Sequence, residues 1–372
     1  MVYLDLDLKV PTEVLFDKDI IKNNCEKFDE LGDVALIVIG KKSAKINGAL
    51  SDILNALDLS NKDYYIFDKV EENPSIETIE LASKLGRTVK ADFIVGIGGG
   101  SAIDASKAIA FMIKNLNVNK KNIFNQKKLS SIPVIAVPTT AGTGSEVTQY
   151  SIVTDNNKKC KRNLGQEIYP KIAFIDPKYT KGLNIEISRN TAMDAFSHIV
   201  EGYLSKNATE YTDKLALKAL KIWAEVSDNL LCGNLTENDR ENLMVASTIG
   251  GAIISKTGTS IPHCMGYPLT YYKNVPHGLA NLCLYNEYLD SFKDRKKVNN
   301  IVSILGFTSL KDLKKFINSL LEININVTKE EIKKYTDEVF KNKEKLKNHI
   351  EDLTYDDLYN IYYKSLIDNN NI

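Results

Sequence analysis

Short, nearly continuous apolar runs separated by stretches of helical spacing set the first limit on what this chain can become. Runs at 34–39, 64–67, 93–96, 134–137 and 172–175 are rich in Val, Ile, Phe and Ala. Runs of this kind suit strands of a parallel sheet covered on both faces. Between them, 46–57, 76–85 and 102–113 carry apolar residues at helical spacing. Strand, helix, strand repeated in this way predicts an open α/β sheet, which takes ligands at the carboxyl ends of its strands. After Pro177 the strand signal stops, and 192–204, 211–230 and 240–254 read as long helices. Later starts carry capping signatures, Thr236/Asp239, Ser309/Asp312, Thr328/Glu331 and Thr354/Asp357. There a hydroxyl can satisfy an unpaired helix N–H, and the acid favours the positive helix end. The 372 residues exceed what one core of roughly 250–300 residues organises. The expectation is therefore an α/β domain over 1–182 and an all-helical domain over 183–372, with residues 368–372 frayed.

Composition removes other classes. Lys+Arg and Asp+Glu balance at 48 each, which argues against nucleic acid held by phosphate neutralisation. No stretch approaches the ~18 consecutive apolar residues of a membrane span. The start, Met1-Val2-Tyr3-Leu4-Asp5-Leu6-Asp7, places acids where a signal peptide needs a basic region. Cys25, Cys160, Cys232, Cys264 and Cys283 are odd in number and scattered, so reduced thiols are expected rather than a disulfide framework. These features predict a cytoplasmic protein with no nucleic-acid or membrane partner.

Two loops then draw the eye. Residues 92–104 run from a strand through Gly96, Gly98, Gly99 and Gly100 to Ser101 and Asp104 in a helix. Glycines let a phosphate approach the backbone, and a helix N-terminus offers unpaired N–H groups. Read alone, the segment also fits a tight turn that binds nothing. Residues 137–148 follow another strand and hold Thr139, Thr140, Thr143, Ser145 and Thr148 with Gly142 and Gly144. Two donor-rich loops at one sheet edge suit an extended polyanion, such as a dinucleotide.

Histidine is scarce, at four per chain, and three of the four fall between 198 and 277. Asp194 and His198 stand four apart, on one face of a predicted helix. His263 and His277 each follow a proline. One carboxylate and three imidazoles make a borderline-hard donor set suited to Fe(II) or Zn(II). Cys264 beside His263 is a weaker ligand candidate, and His349, among Lys and Glu, is expected to be solvated.

Four ordered blocks together resemble the iron-containing (group III) alcohol dehydrogenase family. They are Gly98-Gly99-Gly100-Ser101-x-x-Asp104-x-x-Lys107, the run Pro138 to Glu146, Asp194-Ala195-x-x-His198, and His263 through Pro268 to Pro276-His277-Gly278. The resemblance implies an N-terminal nucleotide-binding domain, a C-terminal helical domain and a metal in the cleft. It makes Asp194, His198, His263 and His277 the metal ligands, gives Gly98, Gly99, Gly100 and Ser101 to the pyrophosphate, and lines the cofactor cleft with Thr139, Thr140 and Thr143. Asp104 and Ser145 complete the expected cofactor set.

The chain departs from the family pattern in two places. Many members place a histidine four residues after the third ligand, where this chain has Tyr267 in H-x-x-G-Y-P. A phenol of pKa about 10 is a poor base at neutral pH, so Tyr267, with His277, is expected to shape the pocket or relay a hydrogen bond. Members that prefer NAD often carry an Asp after the second sheet strand; here the segment reads Gly40-Lys41-Lys42-Ser43. Losing that carboxylate and gaining lysines favours a 2′-phosphate, so NADP is expected over NAD. The resemblance implies hydride exchange between nicotinamide C4 and a small primary alcohol, diol or aldehyde whose oxygen the metal polarises. The basic run 158–162 could add a cofactor contact. A homodimer is the expected assembly. Rival readings are a glycerol dehydrogenase, a dehydroquinate synthase-like enzyme on the same fold, or a nucleotide-binding protein without turnover.

Overall fold

The computed structural model describes residues 7–321 and 325–368. The acidic start (1–6) and residues 369–372 of the Asn-rich end lie outside the described residues. The chain divides into two compact units, Met1–Leu183 and Asn184–Ile372.

The N-terminal unit is built on a parallel sheet. Its strands are β1 (Glu13–Phe16), β2 (Val34–Gly40), β3 (Asp63–Val70), β4 (Phe93–Gly98), β5 (Val134–Pro138) and, after a separate antiparallel hairpin of β6 (Ile152–Asp155) and β7 (Cys160–Asn163), β8 (Ile172–Ile175). Their order is β1-β8-β5-β4-β2-β3. The helices are α1 (Ser43–Ile46), α2 (Ala49–Leu59), α3 (Ile76–Thr88) and α4 (Gly100–Lys114). Alternate residues of β2 enter opposite cores. Leu36 and Val38 pack with Ile79 of α3 and Ile109 of α4, whereas Ala35, Ile37 and Ile39 pack with Ile53 and Leu57 of α2. A strand buried on both faces must be apolar at every position, which is why these runs stand out in the sequence.

Chain order also locates the ligand edge. From β2 the chain moves outward to β3, then returns past β2 to β4 and continues to β5. The winding therefore reverses between β2 and β4, and the carboxyl ends at such a reversal form the crevice where α/β sheets take ligands. The segment Gly40 to Ser43 leaves β2 there, the glycine loop leaves β4, and the Thr-rich loop leaves the neighbouring β5.

Two helix expectations need revision, and three strands have no counterpart in the expected runs. The expected helix 46–57 starts later, at Ala49, because Ile46 closes α1 and the chain turns at Asn47-Gly48, where Gly48 has φ +88°. The expected helix 211–230 splits, into α6 (Glu210–Ala224) and α7 (Ser227–Cys232). Strands β1, β6 and β7 carry no long apolar run, since they are four residues each and only partly buried or mixed in character.

The C-terminal unit is helical throughout its described residues. It comprises α5 (Ile185–Tyr203), α6, α7, α8 (Glu237–Thr257), α9 (Ile261–Lys273), α10 (His277–Leu282), α11 (Tyr285–Asp290), α12 (Lys296–Ile304), α13 (Leu310–Leu320), α14 (Lys329–Phe340), α15 (Lys343–Leu346) and α16 (Tyr355–Leu366). The expected caps form: Thr236, Ser309, Thr328 and Thr354 each accept from the backbone N–H three residues on. His349 is not solvated. It is 2% exposed and packs against the rings of Phe292 and Tyr288 at 4.6 and 5.6 Å. Its charged neighbours belong to α15, which ends at Leu346, after which the chain turns and carries this ring inward. Among the described residues no helix is long and apolar enough to cross a membrane, and all five cysteines are free thiols.

Candidate metal and cofactor sites

In the C-terminal unit, Asp194, His198 and Glu201 occupy positions i, i+4 and i+7 of α5, so one helix face presents a carboxylate, an imidazole and a second carboxylate. All three are buried. His263 arrives from the first turn of α9, where Pro262 is tolerated because the N–H it lacks would be unpaired there anyway. His277 opens α10 directly after Pro276. The residue following it must be glycine: a Cβ on Gly278 would lie 1.9 Å from the Asn190 carbonyl oxygen of α5. That close approach, reinforced by the Leu279 N–H donating to Asn190 Oδ1 at 3.1 Å, carries His277 to Asp194.

The three expected imidazole ligands face one oxygen of the fourth, Asp194. Asp194 Oδ1 lies 3.5 Å from His263 Nε2, 3.7 Å from His277 Nε2 and 3.9 Å from His198 Nε2. The Nε2 atoms of His198 and His263 are 2.9 Å apart. Two imidazole nitrogens this close, both facing a carboxylate, need a proton or a cation between them. Metal–donor bonds of about 2.0–2.2 Å at angles of about 90–110° separate neighbouring donors by roughly 2.9–3.5 Å. Two of these separations, 2.9 and 3.5 Å, fall in that range and two, 3.7 and 3.9 Å, lie just beyond it, while Asp194, His263 and His277 offer donor atoms all within 4.8 Å of one another. The chemistry of the set, drawn in slightly, fits a divalent cation. Cys264 stays out of this set; burial pushes its thiol up to about 12.

Glu201 was missed as a site residue in the sequence, and its bonds explain the set. His263 Nδ1 donates to Glu201 Oε1 at 2.6 Å, and the Ser260 backbone N–H donates to Glu201 Oε2 at 2.6 Å. Committing Nδ1 to this carboxylate aims Nε2 at Asp194, the arrangement that fixes ring plane in metal-binding histidines. The i+7 spacing from Asp194 was the available signal. Charges follow the geometry. Burial alone would raise the Asp194 carboxyl, but His198, His277 and His263 hold it well below the usual carboxylate range. Burial would lower His263, yet Glu201 and Asp194 outweigh it and lift it to about 9.

The centre is open on one side. The side chains of His263, Asp194 and His198 are 3–6% exposed, and that of His277 is 24% exposed. Tyr267, one turn beyond His263, lies against this edge, its ring stacked on His277 at 5.6 Å.

In the N-terminal unit the two loops interlock. A Cβ on Gly99 would meet Thr140 Oγ1 at 3.0 Å, and one on Gly100 would meet Thr143 Oγ1 at 2.8 Å. Only glycine lets the threonine loop lie so close to the start of α4. The Thr139 N–H donates to the Gly98 carbonyl at 3.0 Å, and Ser101 Oγ accepts from the Asn73 N–H at 3.1 Å. Asp104 and Ser145 are brought together and turned inward: Ser145 Oγ donates to Asp104 Oδ1, and the Ile152 N–H donates to Asp104 Oδ2 at 2.9 Å. Lys41, Lys42 and Ser43 are exposed and Gly40 half-buried, at the end of β2. Arg162, of the basic run, pairs with Asp155 at 3.1 Å and covers the Phe124 ring.

Comparison with known proteins gives these sites a setting. Residues 11–177 match the family model for iron-containing alcohol dehydrogenase, and residues 188–366 match that for the C-terminal part of the Fe-containing alcohol dehydrogenase family. Lactaldehyde reductase from Escherichia coli is 30% identical over 278 residues, 73% of this chain and 72% of that protein. NADPH-dependent butanol dehydrogenase from Clostridium saccharobutylicum is 28% identical over 319 residues, 82% of this chain and 80% of that protein. The crystal structure of an iron-containing alcohol dehydrogenase from Thermotoga maritima superposes with a TM-score of 0.90 at 38% identity, covering 96% of this chain and 98% of that one.

Proposed function

From this chain's membership of the iron-containing alcohol dehydrogenase family, we propose a metal-dependent, nicotinamide-linked dehydrogenase that interconverts small primary alcohols or diols and their aldehydes. The observation that carries this reading is the convergence of Asp194, His198, His263 and His277 on one buried point. A divalent cation held there, Fe(II) or Zn(II), would supply Lewis acidity to the substrate oxygen. The chain's own residues do the remainder. Asp194 contributes the negative charge, Glu201 holds His263 in the productive tautomer, and the half-open edge at His277 and Tyr267 offers the approach for a small alcohol. Tyr267, its ring stacked on that of His277, narrows that edge, which favours short substrates.

On the N-terminal unit, the start of α4 with Gly98, Gly99, Gly100 and Ser101 would take the pyrophosphate, and Thr139, Thr140 and Thr143 would line the dinucleotide's path. Exposed Lys41 and Lys42 beside Ser43 favour NADP, because they can neutralise a 2′-phosphate. A reduced, cytoplasmic setting agrees with five free thiols, and gel filtration would check the expected homodimer.

The deciding experiment is anaerobic purification with added Fe(II) or Zn(II), followed by loss of NADPH absorbance against a panel of short aldehydes. Turnover with at least one metal is expected. Cofactor-binding protein that turns over none of them with either metal would sink the reading.

A further inference from the structure

Lys107 is the most deeply buried cation described in the N-terminal unit, with no exposed surface. A buried ammonium is costly unless its three donors are all used. Here Nζ donates to the carbonyl oxygens of Ser145 at 2.7 Å, Thr148 at 2.8 Å and Tyr150 at 2.7 Å. It also lies 3.0 Å from Ser145 Oγ. Burial lowers its pKa to about 8, with Asp104 and Glu146 pulling the other way. Those carbonyls belong to one turn of chain, the stretch continuing the Thr-rich loop. Lys107 itself sits two turns into α4, the helix whose N-terminus begins at Gly100. Asp104, one turn before it on the same face, ties down Ser145 and the Ile152 N–H of that stretch. One helix therefore offers its free N–H groups at its start and grips the neighbouring loop from within.

We propose that Lys107 is a positioning residue for the dinucleotide: its ammonium closes on three carbonyls and holds residues 138–150 in register with the start of α4. This rests on the reading of the two loops as the dinucleotide site. Without the ammonium, three carbonyls lose their charged donor at once, and among the backbone bonds described the Ser145 carbonyl is left with the long one from the Thr148 N–H at 3.4 Å. The loop must then open toward water, and Thr140 and Thr143 leave their places against Gly99 and Gly100.

The test is Lys107→Met, which keeps the length of the stem and removes the charge, titrated with NADPH and NADH by nicotinamide fluorescence on the metal-loaded enzyme. The dissociation constant should rise at least about tenfold. The kcat at saturating cofactor, the alcohol KM and the bound metal content should stay within about twofold, since the metal centre belongs to the other unit. Amides of residues 143–152 should exchange faster with solvent. Lys107→Ala should regain cofactor affinity with propylammonium but not with tetramethylammonium, which is too broad and has no N–H to donate. Should K107M fail to accumulate as folded protein, Lys107→Gln, which keeps two N–H donors but no charge, takes its place in the same titration. It should bind dinucleotide at least about threefold more weakly than wild type, and binding within twofold overturns the proposal. Wild-type protein that binds no dinucleotide overturns the cofactor reading and this proposal with it. Wild type that binds while K107M binds within twofold of it overturns this proposal alone. So does a loss in K107M matched by loss of metal and of alcohol affinity, which would mark a general structural role.

Discussion

In the N-terminal unit a buried lysine faces backbone carbonyls and a carboxylate; in the C-terminal unit a buried carboxylate faces three imidazoles. The first cluster carries its cation on its own chain, because Lys107 supplies the charge that the surrounding oxygens need. The second does not. His198 and His263 approach to 2.9 Å around an anionic centre, and what joins them must come from solution, as a proton or a metal. The difference teaches where sensitivity lies. Chelators and acid act on the helical unit first, and the loops of the α/β unit answer to mutation of one residue.

The largest expected effect follows from that asymmetry. Chelation, or His263→Ala in the metal-supplemented protein, should lower activity by about three orders of magnitude and lower the melting temperature of the helical unit, since metal bound only to folded protein stabilises it. Dinucleotide affinity measured by fluorescence should stay within about twofold. If chelation weakens dinucleotide binding as strongly as it weakens activity, the two clusters are not independent and the comparison fails.

Glu201→Gln should come next. It keeps shape and one acceptor while removing the charge that fixes His263 Nδ1–H. Loss of such a partner weakens metal affinity by about 10–100-fold. Competition with a chromophoric chelator measures this directly, and the visible spectrum of a Co(II)-substituted protein should change as the His263 ring reorients. An unchanged metal affinity would make Glu201 a packing residue only.

A smaller change is expected from Lys41→Ala with Lys42→Ala. The ratio of kcat/KM for NADPH over NADH should fall about tenfold, the order expected for one lost charge-assisted contact. Metal content should not move. A ratio that stays put, or a wild type that prefers NADH, would refute the assignment of the turn after β2 to a 2′-phosphate.

Much of this was legible from residues alone, and the reason is burial on both sides. Strands β2, β4, β5 and β8 must be apolar throughout, so they announce themselves, and the glycines and threonines at their ends follow by position. Three histidines between 198 and 277 stood out because the residue is rare in this chain. What the sequence hid was long-range. Glu201 is one of 48 acids, and only its partner on α9, 62 positions on, marks it out. Lys107 sits in a readable D-x-x-K spacing, but the carbonyls it grips lie about forty residues later. Strands β1, β6 and β7 are held by neighbours rather than by their own composition. His349 misleads for the same reason, since its neighbours in sequence are charged and its neighbours in space are aromatic.

That residue gives the last and smallest contrast, one without effect on activity at neutral pH. Burial among Tyr288 and Phe292 lowers the His349 pKa to about 4 from 6.5, against the opposing pull of Glu351 and Glu201. Between those values the unfolded chain binds the proton and the folded chain does not. Stability from this group is therefore full above about pH 6.5 and is lost as the pH falls toward about 4, by up to about 3 kcal/mol. Phenylalanine fits the same aromatic surroundings without a titrating nitrogen. In denaturant titrations at pH 7, His349→Phe should match wild type to within about 1 kcal/mol. At pH 4.5 it should be the more stable of the two by about 2 kcal/mol. Equal acid sensitivity of the two proteins would leave the acid response of the helical unit to its carboxylates and the Asp194 cluster, and the buried ring would count as packing alone.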